Sequence, residues 1–332
     1  MAVLIDIVLL SMLAITALRV IFLKDLFAVV MLFGIYSLLS ALIFVNLDAV
    51  DVAFTEAAVG AGISTVLMLS TLALTGRTEK ESKRSTVLPL LVVIATGVAL
   101  IYGTLDMPPF GDADNPIHQH VAPRYIEDSP QEVGMPNLVT SVLASYRGFD
   151  TFGETVVVFS AMVGVLSLLG AARLRDDQDV AGSDFKDAGF KGHKVLRVVA
   201  QLIIPLIILF ALYVQFHGDF GPGGGFQAGV IAAAAFILYA LVFSLSHAMQ
   251  VVSAKFLKVL ASFGVLLYAS VGIYSMLQGG HFLDYNTLAD DPLVGQHYGI
   301  IIIELGVGIA VFAVMLSIFY AFANQVERFN IK

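Results

Sequence analysis

The sequence predicts an all-α membrane protein with about nine transmembrane helices. Of its 332 residues, 58% are hydrophobic and only 13% are charged, and the mean hydropathy is +0.89. An average soluble domain has about 45–50% apolar and about 25% charged residues, so the charges here are too few to cover a water-exposed surface. Because unpaired backbone groups are not tolerated in lipid, apolar runs of spanning length must be helical.

Nine apolar runs are long enough to cross a hydrocarbon layer of about 30 Å, which takes about 20 helical residues. In chain order they are 2–23, 26–47, 52–75, 87–105, 151–169, 196–215, 227–246, 256–277 and 298–323. The first run lacks a basic segment before it, carries Asp6 and leads directly into the second run. We therefore expect it to be a true span and not a cleaved signal peptide.

The distribution of lysine and arginine predicts the orientation of these spans. When all nine runs are counted, only Arg124 and Arg147 of the 18 basic residues fall on the side opposite to the others. Basic residues concentrate on the cytoplasmic side of a membrane protein. The N-terminus is therefore predicted to lie outside and the C-terminus in the cytoplasm.

Two hydrophilic segments divide the spans into groups of three, two and four. Residues 106–147 hold six of the ten prolines and are predicted to form an external segment. Its end, residues 137–146, has apolar residues at helical spacing, so we expect it to lie along the membrane surface. Residues 176–194 are polar and are predicted to form a cytoplasmic linker. The predicted units are residues 1–76, 77–175 and 195–332.

The composition excludes several classes of function. The chain has no cysteine, which excludes thiolate-held iron–sulfur clusters, disulfides and cysteine nucleophiles within it. Its formal charge of −8 and the absence of a basic block argue against nucleic-acid binding. His118 and His120 lack a third ligand nearby in the sequence, so no metal site is predicted. No lysine lies in the middle of a run, and a complete proton pump with a lysine–glutamate relay is therefore not expected.

Carboxylates inside the apolar runs are the first candidate site. Glu56, Glu154 and Glu304 lie well inside runs, and Asp51 and Asp150 stand near the outer ends of the helices that carry the first two. Ionisable groups in a span are costly and often mark ion or proton pathways. Oxygen ligands also suit a hard cation, which we extend to Na+. The alternative, in which each glutamate only pairs with a neighbouring helix, remains open.

A glycine-rich turn is the second candidate site. The segment HGDFGPGGGFQAG, residues 217–229, contains four glycines and a proline in five consecutive positions, which cannot continue a helix. It is either a tight external hairpin or a re-entrant turn that brings backbone carbonyls to a water-filled vestibule. The candidate residues are His217, Asp219, Pro222, Gly223, Gly224, Gly225 and Phe226.

These motifs resemble those of known membrane complexes. Residues 196–332, with FHGDFGPGGGFQAG, resemble the B subunit of Mrp-type Na+/H+ antiporters, whose hallmark is a Pro-Gly-Gly-Gly-Phe turn. Residues 1–75, with DAVDVAFTEAAVGAG, look like the small D subunit of membrane-bound hydrogenases. Residues 87–170, with NLVTSVLASYRGFDTFGETVVV, look like the adjoining E subunit. In long Mrp A subunits, those two modules form the carboxyl-terminal end.

The resemblance implies a fused membrane subunit of a bacterial Mrp-type cation/proton antiporter, a complex I-like assembly in the cytoplasmic membrane. It implies transport roles for Glu56 and Glu154, Na+ and H+ as transported ions, no resident cofactor, and no enzyme chemistry in this chain. A separate antiporter-like pump subunit and other Mrp-type subunits are the implied partners within the lipid bilayer. The alternatives are the ion-translocating subunit of a membrane-bound hydrogenase or related redox complex, and a passive scaffold.

Overall fold

The computed structural model describes residues 2–80, 85–109, 111–169 and 194–331, and these residues are almost entirely helical. Within them, nine helices are long and apolar enough to cross a membrane. They are α1 (Ala2–Phe22), α2 (Leu26–Asn46), α3 (Val50–Thr75), α4 (Val87–Thr104), α5 (Gly148–Leu168), α6 (Lys194–His217), α7 (Gly225–Phe243), α8 (Ala254–Leu277) and α9 (Pro292–Ile331). The predicted all-helical class with nine spans is confirmed. Apart from Lys194, the predicted linker lies outside the described residues.

Helix α9 is the centre of the packed core. In the most apolar 18-residue stretch of α9, 61% of the residues are buried inside the protein. In the corresponding stretches of α1 and α4, no residue is buried. Helices α7 and α8 pack along α9, and α5 and the second half of α3 also contact it. The core therefore forms around the carboxyl-terminal half of the chain, and the first four spans lie at its periphery.

Close approach of glycines brings these helices together. A Cβ atom built on Gly229 of α7 would lie 2.6 Å from the Gly308 carbonyl oxygen of α9. One built on Gly264 of α8 would lie 2.6 Å from the Gly306 carbonyl oxygen. Small residues let helix backbones approach closely in membranes, where lipid tails are as apolar as the side chains. Two faces of α9 are thus in close backbone contact, one with α7 and the other with α8.

Helix α3 contains a π-helical segment that the sequence pattern did not predict. Its α-helical parts, Val50–Glu56 and Ser64–Thr75, flank the π-helix Ala57–Ile63. This segment is rich in small residues, and the apolar run of which it is part fits α- and π-helix equally well. Single-turn π segments in α-helices are rare and frequently accompany functional sites.

The end of the external segment packs partly against the protein, and its expected position along the membrane surface stays a prediction. The helical turns Leu138–Thr140 and Ser141–Tyr146 bury Thr140, Ser141 and Ala144. The Tyr285 hydroxyl donates a 2.9 Å hydrogen bond to the Ala144 carbonyl. The segment is helical as its spacing predicts, and Leu138 and Leu143 remain exposed on it.

Candidate functional site

A cavity of about 670 Å³ lies where five parts of the chain meet. Its walls come from the start of α3, residues 139–144, α5, the glycine-rich turn with the start of α7, and α9. Three carboxylates from three helices line it: Asp51, Glu154 and Glu304. Within the described residues, no lysine, arginine or histidine is part of this lining. The cavity is therefore mostly apolar in surface and acidic in charge.

Glu304 lies directly against the glycine-rich turn. A Cβ atom built on Gly218 would lie 3.2 Å from Glu304 Oε2. A Cβ atom built on Gly224 would lie 3.2 Å from Glu304 Oε1. Gly224 has a φ of +108° and directly precedes α7. Among the described residues, no side chain accepts a capping hydrogen bond from the N-terminus of this helix. The free N–H groups of a helix N-terminus favour a negative group nearby. Glycines at these positions make room for the glutamate carboxylate.

Asp51 is joined to the turn through uncharged polar side chains. The Gln227 side-chain amide donates a 2.8 Å hydrogen bond to the Thr55 hydroxyl, and this hydroxyl donates to the Asp51 backbone carbonyl at 3.0 Å. The Asn137 amide donates to Asp51 Oδ1 at 3.4 Å. Helix α3 is thereby connected to both the turn and the external segment.

Asn137 is the main polar anchor of the turn. Its buried side-chain amide donates hydrogen bonds to the carbonyl oxygens of Gly218 and Gly221, each at 3.0 Å. Its backbone N–H donates to the Asp219 carbonyl at 3.0 Å, and the Thr140 hydroxyl donates to the Gly218 carbonyl at 2.6 Å. Four bonds from one short segment thus hold the irregular backbone of the turn in place.

The structure separates the predicted carboxylates into three environments. Glu154 and Glu304 share the cavity with Asp51. Glu56, at the start of the π-helix, faces α2: a Cβ atom on Gly60 would lie 2.5 Å from Glu56 Oε1 and 2.6 Å from Ser37 Oγ.

Asp150 forms an exposed ion pair with Arg147 at 2.5 Å. Its i, i+4 spacing from Glu154 therefore does not bring the two carboxylates into the same site.

The predicted residues of the turn also differ in position. Gly223, Gly224, Gly225 and Phe226 line the cavity, whereas Pro222 is exposed.

The His217 ring stacks on Tyr213, with ring centroids 4.9 Å apart. Asp219 is only 8% exposed, and its Oδ2 atom lies 3.5 Å from His297 Nδ1. Burial raises the pKa of Asp219, and the charge of a protonated His297 opposes this shift.

Sequence reasoning missed Asn137, Thr55 and Gln227, because uncharged polar residues give no signal of cost or function in a sequence of this kind.

Three family models match successive parts of the chain. Residues 11–77 match the MbhD family, the D subunit of MBH, and residues 83–184 match the MbhE family, the E subunit of MBH. Residues 195–317 match the domain related to the MnhB subunit of Na+/H+ antiporter.

The chain is similar to mnhB2 of Staphylococcus aureus strain Newman, a protein named as an antiporter subunit. The two are 34% identical over 127 residues, which cover 37% of this chain and 89% of the relative.

Two solved structures have similar folds. The Mrp complex from Dietzia sp. DQ12-45-1b contains a chain that matches with a TM-score of 0.74 and 25% identity over 95% of this chain. The match covers 34% of that chain, so this protein spans about a third of its length. A chain of the archaeal membrane-bound sulfane sulfur reductase matches with a TM-score of 0.53 and 29% identity, over 71% of this chain and 97% of that one. The protein therefore belongs to the family of MnhB-type Na+/H+ antiporter subunits, with two further domains of the MbhD and MbhE families preceding the MnhB-type domain.

Proposed function

We propose that this chain is a membrane subunit of a multisubunit Mrp-type cation/proton antiporter, and that its cavity forms part of the path for Na+ and H+. The observation that carries the proposal is the meeting of Asp51, Glu154 and Glu304 in one apolar cavity with no basic residue in its described lining. Low-dielectric walls strengthen the field of like charges and concentrate counter-ions. A hard cation or a proton is the matching occupant.

The carboxylates would act by alternating between two states. In one state their oxygens are ligands of Na+, and in the other they carry protons in its place. The glycine-rich turn adds backbone groups to the same wall, since Gly223, Gly224 and Gly225 line the cavity. Exchange of one ion for the other at these groups links the two fluxes, and the chain itself needs no resident cofactor and no enzyme chemistry.

The rest of the transport machinery belongs to partner subunits in this proposal. The chain corresponds to about a third of the matched Mrp chain, and no lysine lies in the middle of its predicted spans. A separate antiporter-like pump subunit would supply the remainder. Helix α4, on which every side chain is exposed and only Gly97 is partly covered, offers surface for lipid or for such a partner. The asymmetry of basic residues supports a bacterial cytoplasmic membrane location with the N-terminus outside and the C-terminus inside.

Substitution of the cavity glutamates tests the proposal. Glu154→Gln and Glu304→Gln keep the size of the side chain and remove its charge, so Na+-dependent proton antiport by the assembled complex in everted vesicles should fall to background. Glu56→Gln tests the role implied by the family resemblance. Glu132→Gln is the control, because Glu132 pairs with Arg124 on the external segment. Unchanged antiport in both cavity variants, with normal assembly, would refute the proposal.

A role in a redox-coupled complex is the second candidate. The MbhD and MbhE matches and the sulfane sulfur reductase chain, of which 97% is covered, favour it. In that case redox centres would belong to other subunits, and this chain would only move ions. Purification of the tagged chain distinguishes the two: iron–sulfur subunits in the recovered complex favour the redox-coupled role, and antiporter subunits alone favour the first.

A further inference from the structure

The side chain of His297 connects an exposed position near the start of α9 to a buried carboxylate. His297 is 46% exposed, whereas the side chain of its partner Asp219 is 11% exposed. Within the described residues, this histidine is the one side-chain partner of the Asp219 carboxylate, at 3.5 Å. The backbone of Asp219 is fixed by the hydrogen bond from Asn137. Asp219 is thus a buried acid that reaches solvent through a titratable ring.

Asp219 also directly follows a turn residue that contacts an acid of the cavity. Glu304 Oε2 lies against Gly218, the residue that precedes Asp219. Glu304 follows His297 by seven residues on α9, which is two helical turns and places both on one face of the helix. The carboxylate charges of Asp219 and Asp51 both act on Glu304. The order from solvent to cavity is therefore His297, Asp219, Glu304.

Few other charged groups face this row. Helix α9 contributes His297 and Glu304, and α3 contributes Asp51, whose Oδ1 is bonded to Asn137. Helix α5 contributes Glu154, which lines the same cavity as Glu304. In the glycine-rich turn that contains Asp219, the His217 ring stacks on Tyr213 instead of facing Asp219. The external segment contributes the uncharged Asn137. Burial raises the pKa of Asp219, so this acid can hold a proton under conditions in which an exposed aspartate cannot.

We infer that His297 and Asp219 form a proton-loading pair that delivers protons from the aqueous face to Glu304. The His297 ring takes a proton from water on one nitrogen and releases the proton on Nδ1 to the Asp219 carboxylate. Asp219 then transfers its proton to the Glu304 carboxylate and becomes ionised again. One proton has moved inward, and both relay groups return to their starting charge. This inference rests on the proposed function, because Glu304 must exchange protons for the delivery to matter.

The test uses the assembled complex in vesicles, with the rate of Na+-dependent antiport measured against the pH on the His297 side. His297→Gln should slow antiport by about 10²-fold, the low end of the contribution of a positioned proton-transfer group. The dependence of the rate on the pH of that side should also change, because the titratable entry group has been removed. Imidazole added to that side should restore the rate of His297→Ala. Rescue by imidazole and a changed pH profile are not expected for a residue that only supports the fold.

His281→Gln is the matched control, because His281 is an exposed histidine of the loop between α8 and α9 and should leave rate and pH profile unchanged. His297→Asn and Asp219→Asn provide alternatives if glutamine at position 297 prevents assembly, which the amount of complex recovered in detergent reveals. A wild-type rate and pH profile in an assembled His297 variant overturns the loading pair. If Glu304→Gln still abolishes antiport in that case, the proposed function stands and only the delivery route is wrong.

Discussion

An added methyl group at Gly229 should force α7 away from α9. The Cβ atom of Gly229→Ala would lie 2.6 Å from the Gly308 carbonyl oxygen and 3.0 Å from both Phe312 N and Val311 Cβ. Close C···O contacts in proteins are about 3.3–3.6 Å, so the helices must separate by about 0.7–1 Å. The obstructing atoms include backbone, which cannot rotate away as a side chain could.

The cost follows from the contacts that this separation loosens. A gap of about 0.5–1 Å forfeits a quarter to a half of the dispersion energy of each atom pair across an interface. Overpacking of this kind typically costs about 1–3 kcal/mol of unfolding free energy. We expect Gly229→Ala to lose about 2 kcal/mol, which lowers the melting midpoint by a few degrees. Because α7 begins at the turn that contacts Glu304, antiport should fall as well.

Heating the detergent-solubilised complex and measuring the fraction that remains assembled checks this expectation. Gly164→Ala is the matched control, since it lies in the interior of α5 and has no atom within 4 Å of its added methyl. Alanine has a higher helix propensity than glycine by about 1 kcal/mol, so this control should be neutral or slightly more stable. Equal midpoints for Gly229→Ala and Gly164→Ala would refute the backbone contact between α7 and α9.

Two further predictions concern polar groups of the site, and a third concerns an exposed ion pair away from it. Asn137→Ala should destabilise the complex by about 1–3 kcal/mol, because the Gly221 carbonyl loses its donor and the Gly218 carbonyl keeps only the bond from Thr140; thermal melting measures this, and unchanged stability contradicts it. Since burial raises the pKa of Asp219, the folded state binds more protons than the unfolded state, and stability should fall as pH rises through that raised pKa. Asp219→Asn should flatten this decline in melting curves across pH, and an unaltered slope would show that another group causes it. Arg77→Ala breaks an exposed pair with Asp25 and should leave the melting midpoint unchanged; a clear decrease would mean that the pair is more important than its exposure indicates.

The spans could be predicted from the sequence because each one depends only on local hydrophobicity. Predicted and observed bounds differ mainly where capping or turn chemistry decides them. Helix α9 begins at Pro292 and not at residue 298, because the Asp291 carboxylate accepts a hydrogen bond from the Leu293 N–H, and proline is favoured in the first turn. Neither of these two features involves an apolar run, so a search by hydropathy does not detect the true start of the helix.

The site was only partly predictable, because it depends on which helices meet. The sequence identified Glu154 and Glu304 as costly groups and Asp51 as a candidate near the outer end of its helix, but their positions are more than 90 residues apart and give no indication that they share a cavity. Asp150 precedes Glu154 by four residues on one helix, yet it pairs with Arg147 at the exposed helix end. Long-range polar contacts such as that of Asn137 with Gly218 follow from the fold and not from a local pattern.

The absence of cysteine from the chain allows a direct test of whether the cavity is wet and attracts cations. Val157 and Val98 are similarly exposed, but Val157 lines the cavity, whereas Val98 lies on the surface of α4 that is proposed above to face lipid or a partner subunit. In the assembled complex, a cationic water-soluble thiol reagent should modify Val157→Cys on this chain faster than an anionic reagent of similar size. Glu154→Gln should reduce that preference, and Val98→Cys should remain unmodified. An unreactive Val157→Cys, or equal rates for the two reagents, would contradict a carboxylate-lined aqueous path through this protein.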